Sequence, residues 1–311
     1  MIKVNLQQLI DEFLEYLEVE KAVSPLTIRD YKIYLTKFIK WLIENHVLLF
    51  PSSINLELIR DYRLFLAHLT LDNGQHLKKV TQSYYVIALR SFLRYLIVNR
   101  DIDTLNPDKI VLPKTAARMI EYLNSEQIER LLSSPTVSNI IGLRDKAILE
   151  TLFSTGLRVS ELAKLNREQI NFERQEFGVR GKGNKVRVVF LSDSASMWLN
   201  RYISKRNDDY CPLFIRYSRG KSNIKRGEKM RLSVRSIELI VRKYSRKCSL
   251  PFDAHPHTLR HTFATDLLIG GADIRSVQEM LGHESLLTTQ IYTHVTNKQL
   301  KDVHQKFHRK K

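Results

Sequence analysis

Apolar residues recur at a helical spacing through the first hundred positions. Leu6, Ile10, Phe13, Leu14 and Leu17 fall on one face of a helix. The stretch SPLTIRDYKIYLTKFIKWL predicts a second helix, with Ser24 as N-cap and Pro25 at the first helical position. Its stripe is Ile28, Tyr31, Leu35, Phe38, Ile39 and Leu42. A third follows Asn55 with Leu58, Ile59, Tyr62 and Leu66 on one side, and Asn73-Gly74 marks a loop after it. The fourth carries Tyr85, Leu89, Phe92, Leu93 and Leu96 inward, while Arg90, Arg94 and Arg100 face elsewhere. Such stripes are core, so a module of four or five helices is expected over 1–105.

Periodicity then lapses. LNPDKIVLPKTAARMIEYL carries two prolines and reads as a linker over 106–120, with the domain boundary near residue 112. A new helix is expected from Asn124 or Ser125, with Glu126 and Gln127 in its first turn. Helical pattern resumes through Leu131, Ile141 and Leu149. One stretch, EFGVRGKGNKVRVVFL, reads as β. Phe177 and Val179 alternate on one side of the turn Gly181-Lys182-Gly183-Asn184, and Val186, Val188 and Phe190 on the other. A basic loop and more helices follow. The expected fold is mostly α with a small β-sheet: a helical N-terminal domain, then a mixed, mostly helical domain over 121–311.

Charge narrows the partners. Lys and Arg outnumber Asp and Glu by 50 to 33, a net charge of +17. A field of that size attracts polyanions, and nucleic acid is the commonest in a cell. The basic residues are spread along the chain rather than gathered in one amphipathic tail, which disfavours a membrane surface. Two cysteines, Cys211 and Cys248, make neither a disulfide framework nor a CxxC pair. The opening MIKVNLQQLIDEFLEYL has acidic residues inside its apolar pattern, unlike a signal peptide, and no apolar run has the length to span a bilayer. A soluble, cytoplasmic, nucleoid-associated protein is expected.

Four stretches of the second domain hold reactive side chains. STGLRVSEL puts Arg158 at a helix start with Glu161 placed to orient its guanidinium. GKGNK holds Lys182 at a hairpin tip, with Lys185 beside it. LGHESLLTTQIYTHV ends a helix at Gly282, exposes His283 and sets Tyr292 beyond it. HPHTLRHTFATDLL is ambiguous by itself. His257 and His261 share a helix face as metal ligands often do, whereas His257 and Arg260 would suit an anion. Taken singly, each feature has an ordinary structural explanation. Together, two arginines, several histidines, a lysine and a tyrosine are what phosphoryl transfer through a covalent tyrosine requires without metal. Fixed guanidinium donors meet charge on the nonbridging oxygens, a hydroxyl attacks, and the leaving alkoxide takes a proton.

On these residues the chain resembles the tyrosine recombinase (phage integrase) family, of the Xer type. The likeness includes SPLTIRDY and LRSFLRYL, the NP…LPK linker, TGLRVSELAKL, GKGNKVR, HTLRHTFAT, GADIRSVQEMLGHESLLTTQIYTHV and the tail LKDVHQKFHRK. It implies a SAM-like core-binding domain and a catalytic domain closing as a C-shaped clamp on DNA. It also implies that Arg158, His257, Arg260 and His283 bind the scissile phosphate, Lys182 is the general acid and Tyr292 the nucleophile, with Glu161 supporting the first arginine. The anion reading of the histidine stretch then prevails. A dication beside two arginines would be repelled, and no cysteine or carboxylate completes a ligand set. His261 becomes a structural neighbour and His255 a loop residue. No metal and no cofactor are expected.

The resemblance further implies recombination of two duplex sites in a tetramer, through a 3′-phosphotyrosine and a Holliday junction. The tetramer would be of one chain or shared with a paralogue, joined by cyclic exchange of the C-terminal helix (298–308; Leu300, Val303, Phe307). Chromosome or plasmid dimer resolution, with a cell-division DNA translocase as a possible partner, is the expected task; the alternative is the integrase or resolvase of a mobile element. A type IB topoisomerase and a non-enzymatic DNA-binding protein are the rival classes. DNA contacts are expected from Arg90, Arg94, Lys185, Lys221, Lys225, Arg226, Arg235, Arg242 and Lys243. The chain departs from the pattern at Asp266, where histidine is more usual, and in a long basic segment, IRYSRGKSNIKRGEKMR.

Overall fold

A computed structural model describes residues 5–112, 121–181, 185–217 and 224–282, with only the backbone of 224 and 225. Contacts divide the chain into two compact units, Met1–Arg118 and Met119–Lys311.

In the first unit, four helices form where the stripes place them: α1 (Leu6–Val19), α2 (Pro25–Glu44), α3 (Leu56–His68) and α4 (Lys79–Arg100). Local chemistry fixes three of the starts. The side chains of Asn5, Ser24 and Asn55 accept hydrogen bonds from the backbone N–H groups of Gln7, Thr27 and Leu58, which lack helical partners. Leu9, Phe13, Phe38, Tyr62 and Phe92 are fully buried, with Phe13 and Phe92 rings 5.6 Å apart and Phe38 and Tyr62 rings 4.8 Å apart. Tyr85, expected to point inward, is half-buried and Val86 takes the core position. The start of the proline-bearing stretch also packs here. Ile110 is buried, Arg63 Nη1 donates to the Val111 carbonyl at 3.1 Å, and Arg94 pairs with Asp108 at 2.6 Å.

The second unit is built around α6 (Ile140–Thr155). α5 (Ser125–Ser133) precedes it, capped by Asn124, whose side chain and that of Gln127 exchange hydrogen bonds with each other's backbone N–H. α7 (Val159–Lys164), the hairpin β1 (Glu176–Arg180) and β2 (Val186–Phe190), α8 (Asp193–Ser204), α9 (Val234–Lys247), α10 (Pro256–Ile269) and α11 (Ile274–Leu281) follow. α6 is buried on nearly every side, and its charged residues are paired: Arg144 with Asp145 and Lys146 with Glu150, both at 2.6 Å. Ile141 is exposed near the helix start.

The strands pair antiparallel, Phe177 opposite Val189 and Val179 opposite Arg187. Phe177 and Val179 are buried, as expected. In β2, however, Val186, Val188 and Phe190 are 66%, 52% and 53% exposed. The inward face of that strand is Val189 and the half-buried Arg187. Strand side chains alternate faces, so burying Val189 in the core forces its apolar neighbours outward and brings Arg187 in.

Candidate active site

Three chain segments meet where α6 ends. The α6 helix stops at Gly156, in the left-handed conformation with φ +58°, and its N–H returns to the Leu152 carbonyl. A Cβ there would lie 2.4 Å from a ring carbon of Phe263, so the turn takes only glycine. Two residues on, Arg158 begins α7, its backbone N–H bonded to Glu161 Oε2 at 2.9 Å. Its guanidinium gives one hydrogen bond to Glu161 Oε1 at 3.0 Å and another to the Gly282 carbonyl at 3.1 Å. Arg260, on α10 and 3% exposed, donates to the Gly156 carbonyl at 2.6 Å and to the Leu281 carbonyl at 2.7 Å. It thus joins the turn before Arg158 to the end of α11, just before His283.

His257 lies one turn ahead of Arg260 on α10, on the exposed side. Partial desolvation, then the nearby His255, Arg260 and Arg158, disfavours its protonation and lowers its pKa. His255 is the N-cap of α10 rather than a plain loop residue, Nδ1 accepting the Thr258 N–H at 3.2 Å. His261 is half-buried, and desolvation followed by His257 and Arg260 takes its pKa down to about 4. Among the described residues no group of three or more His, Cys, Asp or Glu is placed to hold a metal ion.

Sequence reasoning did not single out Arg187. Its Nη1 and Nη2 bind Glu161 Oε1 and Oε2 at 3.0 and 2.8 Å, and its Nε donates to the Met280 carbonyl at 3.3 Å. Burial works to raise the Glu161 carboxyl, but hydrogen bonds from Arg187 and Arg158 outweigh it and hold the group below the ordinary carboxylate range. The signal was available in GKGNKVRVV, where an arginine shares the face of Val189. The apolar alternation of Val186, Val188 and Phe190 directed attention to the opposite face.

The structure therefore brings together Arg158, Glu161, His257 and Arg260. Lys182, His283 and Tyr292 lie outside the described residues, as do Lys221, Leu300, Val303, Phe307 and the side chain of Lys225. Lys185 is exposed at the turn end of the hairpin, where β2 begins, its carbonyl accepting the Gly181 N–H at 2.8 Å.

The residues expected to touch DNA are mostly ion-paired. Arg226 binds Glu168 at 2.8 Å, Arg235 approaches Glu238 at 3.5 Å, and Lys243 sits over the Tyr244 ring, 3.7 Å from Asp145. Arg242 is half-buried on the same helix, α9. In the first unit Arg90 and Arg94 both reach Asp108. Arg231, in the basic segment, is structural: it donates to the Ala163 and Leu165 carbonyls at 3.0 and 2.9 Å.

Residues 121–299 match the model of the phage integrase family, and residues 10–100 that of the phage integrase N-terminal SAM-like domain. The chain belongs to the phage integrase family. Its members include curated relatives similar to this chain along almost all of both lengths. The tyrosine recombinase XerC of Syntrophus aciditrophicus is 36% identical, with 98% of each chain covered. The tyrosine recombinase XerD of Listeria innocua is 35% identical, covering 97% of this chain and 99% of its own. A solved structure of the Tn1549 transposon integrase with transposon right end DNA shares the fold, with a TM-score of 0.71 at 20% identity over 98% and 99% of the two chains. The phage integrase assignment makes the mostly helical second unit a tyrosine recombinase catalytic domain and the first unit its SAM-like companion. No helix among the described residues is long and apolar enough to cross a membrane.

Proposed function

We propose that this phage integrase family member is a site-specific DNA recombinase that cuts and rejoins duplex DNA through Tyr292. The observation that carries the reading is the cationic cluster. Arg158 and Arg260, distant in sequence, both donate to the backbone that ends α11, at Gly282 and Leu281, and Arg260 also to the Gly156 turn just before Arg158, with His257 beside them. In this reading Arg158, Arg260, His257 and His283 hold the scissile phosphate, and Glu161 orients Arg158. The Tyr292 hydroxyl releases its proton to solvent as its oxygen attacks phosphorus, and the bond to the 5′ oxygen breaks. Lys182 supplies the proton that the leaving oxygen takes, and the phosphate stays on tyrosine as a 3′ ester. A 5′-hydroxyl from the partner duplex then reverses the chemistry onto a new strand, giving a Holliday junction. The ester conserves the bond energy, so the cycle consumes no ATP.

The names of the relatives, XerC and XerD, support chromosome dimer resolution in a tetramer, of one chain or shared with a paralogue. Exchange of the C-terminal helix between protomers and a cell-division translocase as regulator belong to the same proposal, as does a place on the nucleoid. The test is covalent trapping on a duplex nicked beside the attacked phosphate, so that the short 5′ fragment diffuses away. A protein–DNA adduct should form, resist EDTA, and vanish in Tyr292→Phe while DNA binding persists. An adduct of normal yield from the Phe variant, or a strict metal requirement, overturns the reading.

A further inference from the structure

The Glu161 carboxylate is shared by two guanidinium groups. Arg158 gives it one side-chain hydrogen bond, whereas Arg187 grips both oxygens, at 3.0 and 2.8 Å. The side chains are unequally exposed: 32% for Arg158, 13% for Arg187 and 7% for Glu161. Arg158 is the member of the trio that solvent, and therefore a phosphate, reaches most easily.

A lone Arg158–Glu161 pair would present almost no net charge to a phosphodiester. At a distance the carboxylate would cancel the attraction of the guanidinium, and at contact it would still offset a large part of it, the more so for being buried. The second guanidinium changes the sum. Two positive charges on one negative leave a net positive charge, and the bidentate geometry commits the carboxylate chiefly to Arg187. Arg187 also lies against the turn that ends α11. A Cβ at Gly282, where φ is +64°, would lie 3.1 Å from both Arg187 Cδ and Nη1. One side chain thus meets strand β2, the carboxylate of α7 and the backbone of α11.

We infer that Arg187 is a positioning residue for the strand-transfer reaction. It neutralises Glu161, so that the carboxylate orients Arg158 without cancelling the charge Arg158 offers the phosphate. In this role Arg187 binds Glu161 and the end of α11 rather than the phosphate. Its effect passes through Arg158, and the inference rests on the recombinase reading above.

The probe is a duplex selected by the full-length protein from a random pool, rebuilt with the nick described above. Wild-type protein must first give the Tyr292-dependent adduct; without it the recombinase reading itself falls, and this inference with it. With that adduct in hand, Arg187→Gln should bind the duplex normally but form adduct about 10²-fold more slowly, the scale expected when a reacting group is held wrongly. Three comparisons separate electrostatics from mere support. Adding Glu161→Gln to Arg187→Gln should recover most of the lost rate, because the uncompensated carboxylate is gone. In an Arg158→Ala background, Arg187→Gln should cost little more, since it acts through the residue already missing. On a duplex whose attacked phosphate is a neutral methylphosphonate, the Arg187→Gln deficit should shrink.

A purely structural role predicts the opposite: the Glu161→Gln, Arg187→Gln double variant no faster than the single one, additive losses with Arg158→Ala, and a deficit unchanged on methylphosphonate. That pattern overturns the inference. Should Arg187→Gln prove unstable in a thermal melt, Arg187→Lys and the double variant carry the test, because lysine keeps the charge and should retain most of the rate.

Discussion

At the scale of single residues, proton transfer and charge stabilisation can be told apart by substrate chemistry. An expelled 5′ alkoxide needs a proton, and general acid catalysis contributes about 10²–10⁴-fold. A thiolate leaves unprotonated, since a thiol has a pKa of about 8.5. Lys182→Ala should therefore be slow on ordinary DNA and largely restored on DNA with sulfur at the bridging 5′ position. Arg158→Ala and Arg260→Ala should gain nothing from the sulfur. Rescue of Lys185→Ala in place of Lys182→Ala would move the acid to the other lysine. A second residue-scale prediction concerns His261, neutral in the fold down to pH about 4 against an ordinary value of 6.5. Between those values the unfolded chain binds the extra proton, so this group withdraws stability as pH falls from 6.5 towards 4 and has no such effect above. Urea midpoints measured across that window should fall less steeply in His261→Gln than in wild type. Of these residues, Arg158, Glu161, His257 and Arg260 were singled out by the family resemblance of their stretches, and the structure brings the four together. Arg187 was not, because its partners lie on α7 and α11, far away along the chain.

Secondary-structure elements were easier to read where their determinants are local. Ser24 caps the helix that its position predicts, Asn5 and Asn55 cap the helices that follow them, and Asn124 forms a full reciprocal cap. The hairpin was legible as a hairpin, but which face of β2 turns inward was not. That choice is made by packing around Val189, which β propensity does not see. The polar residues of α6 posed the same difficulty, since their burial depends on partners elsewhere. Asp145, 1% exposed, accepts from Arg144 at 2.6 Å and from the Tyr244 hydroxyl at 3.0 Å, joining α6 to α9. Asp145→Ala would strand a buried guanidinium and a phenol together. It should cost about 3–5 kcal/mol of unfolding free energy, the range for breaking one partner from a buried pair. Denaturant titration of the variant checks this, and a loss below about 1 kcal/mol would mean that water replaces the carboxylate.

For the whole molecule, the net charge of +17 is the property that acts furthest. Duplex affinity should fall linearly with salt on logarithmic axes, with a slope set by the number of phosphates neutralised. Reversing charge at Lys221, Lys225 and Arg226 should flatten that slope; an unchanged slope would make the segment a solvated surface. Removing the chain after Asn297 should leave occupancy of one half-site intact and abolish cooperative filling of two, as the proposed exchange of the C-terminal segment between protomers requires. Cooperativity that survives truncation would place the tail on its own domain. Arg260 has a consequence for synthesis as well as for chemistry. It fastens the turn at Gly156 to the end of α11, so the cluster proposed to hold the phosphate does not exist until translation has passed residue 281. The N-terminal unit is complete far earlier, and domains fold in order as they emerge. A chain still on the ribosome therefore completes its N-terminal unit long before the cluster proposed for strand cleavage can assemble.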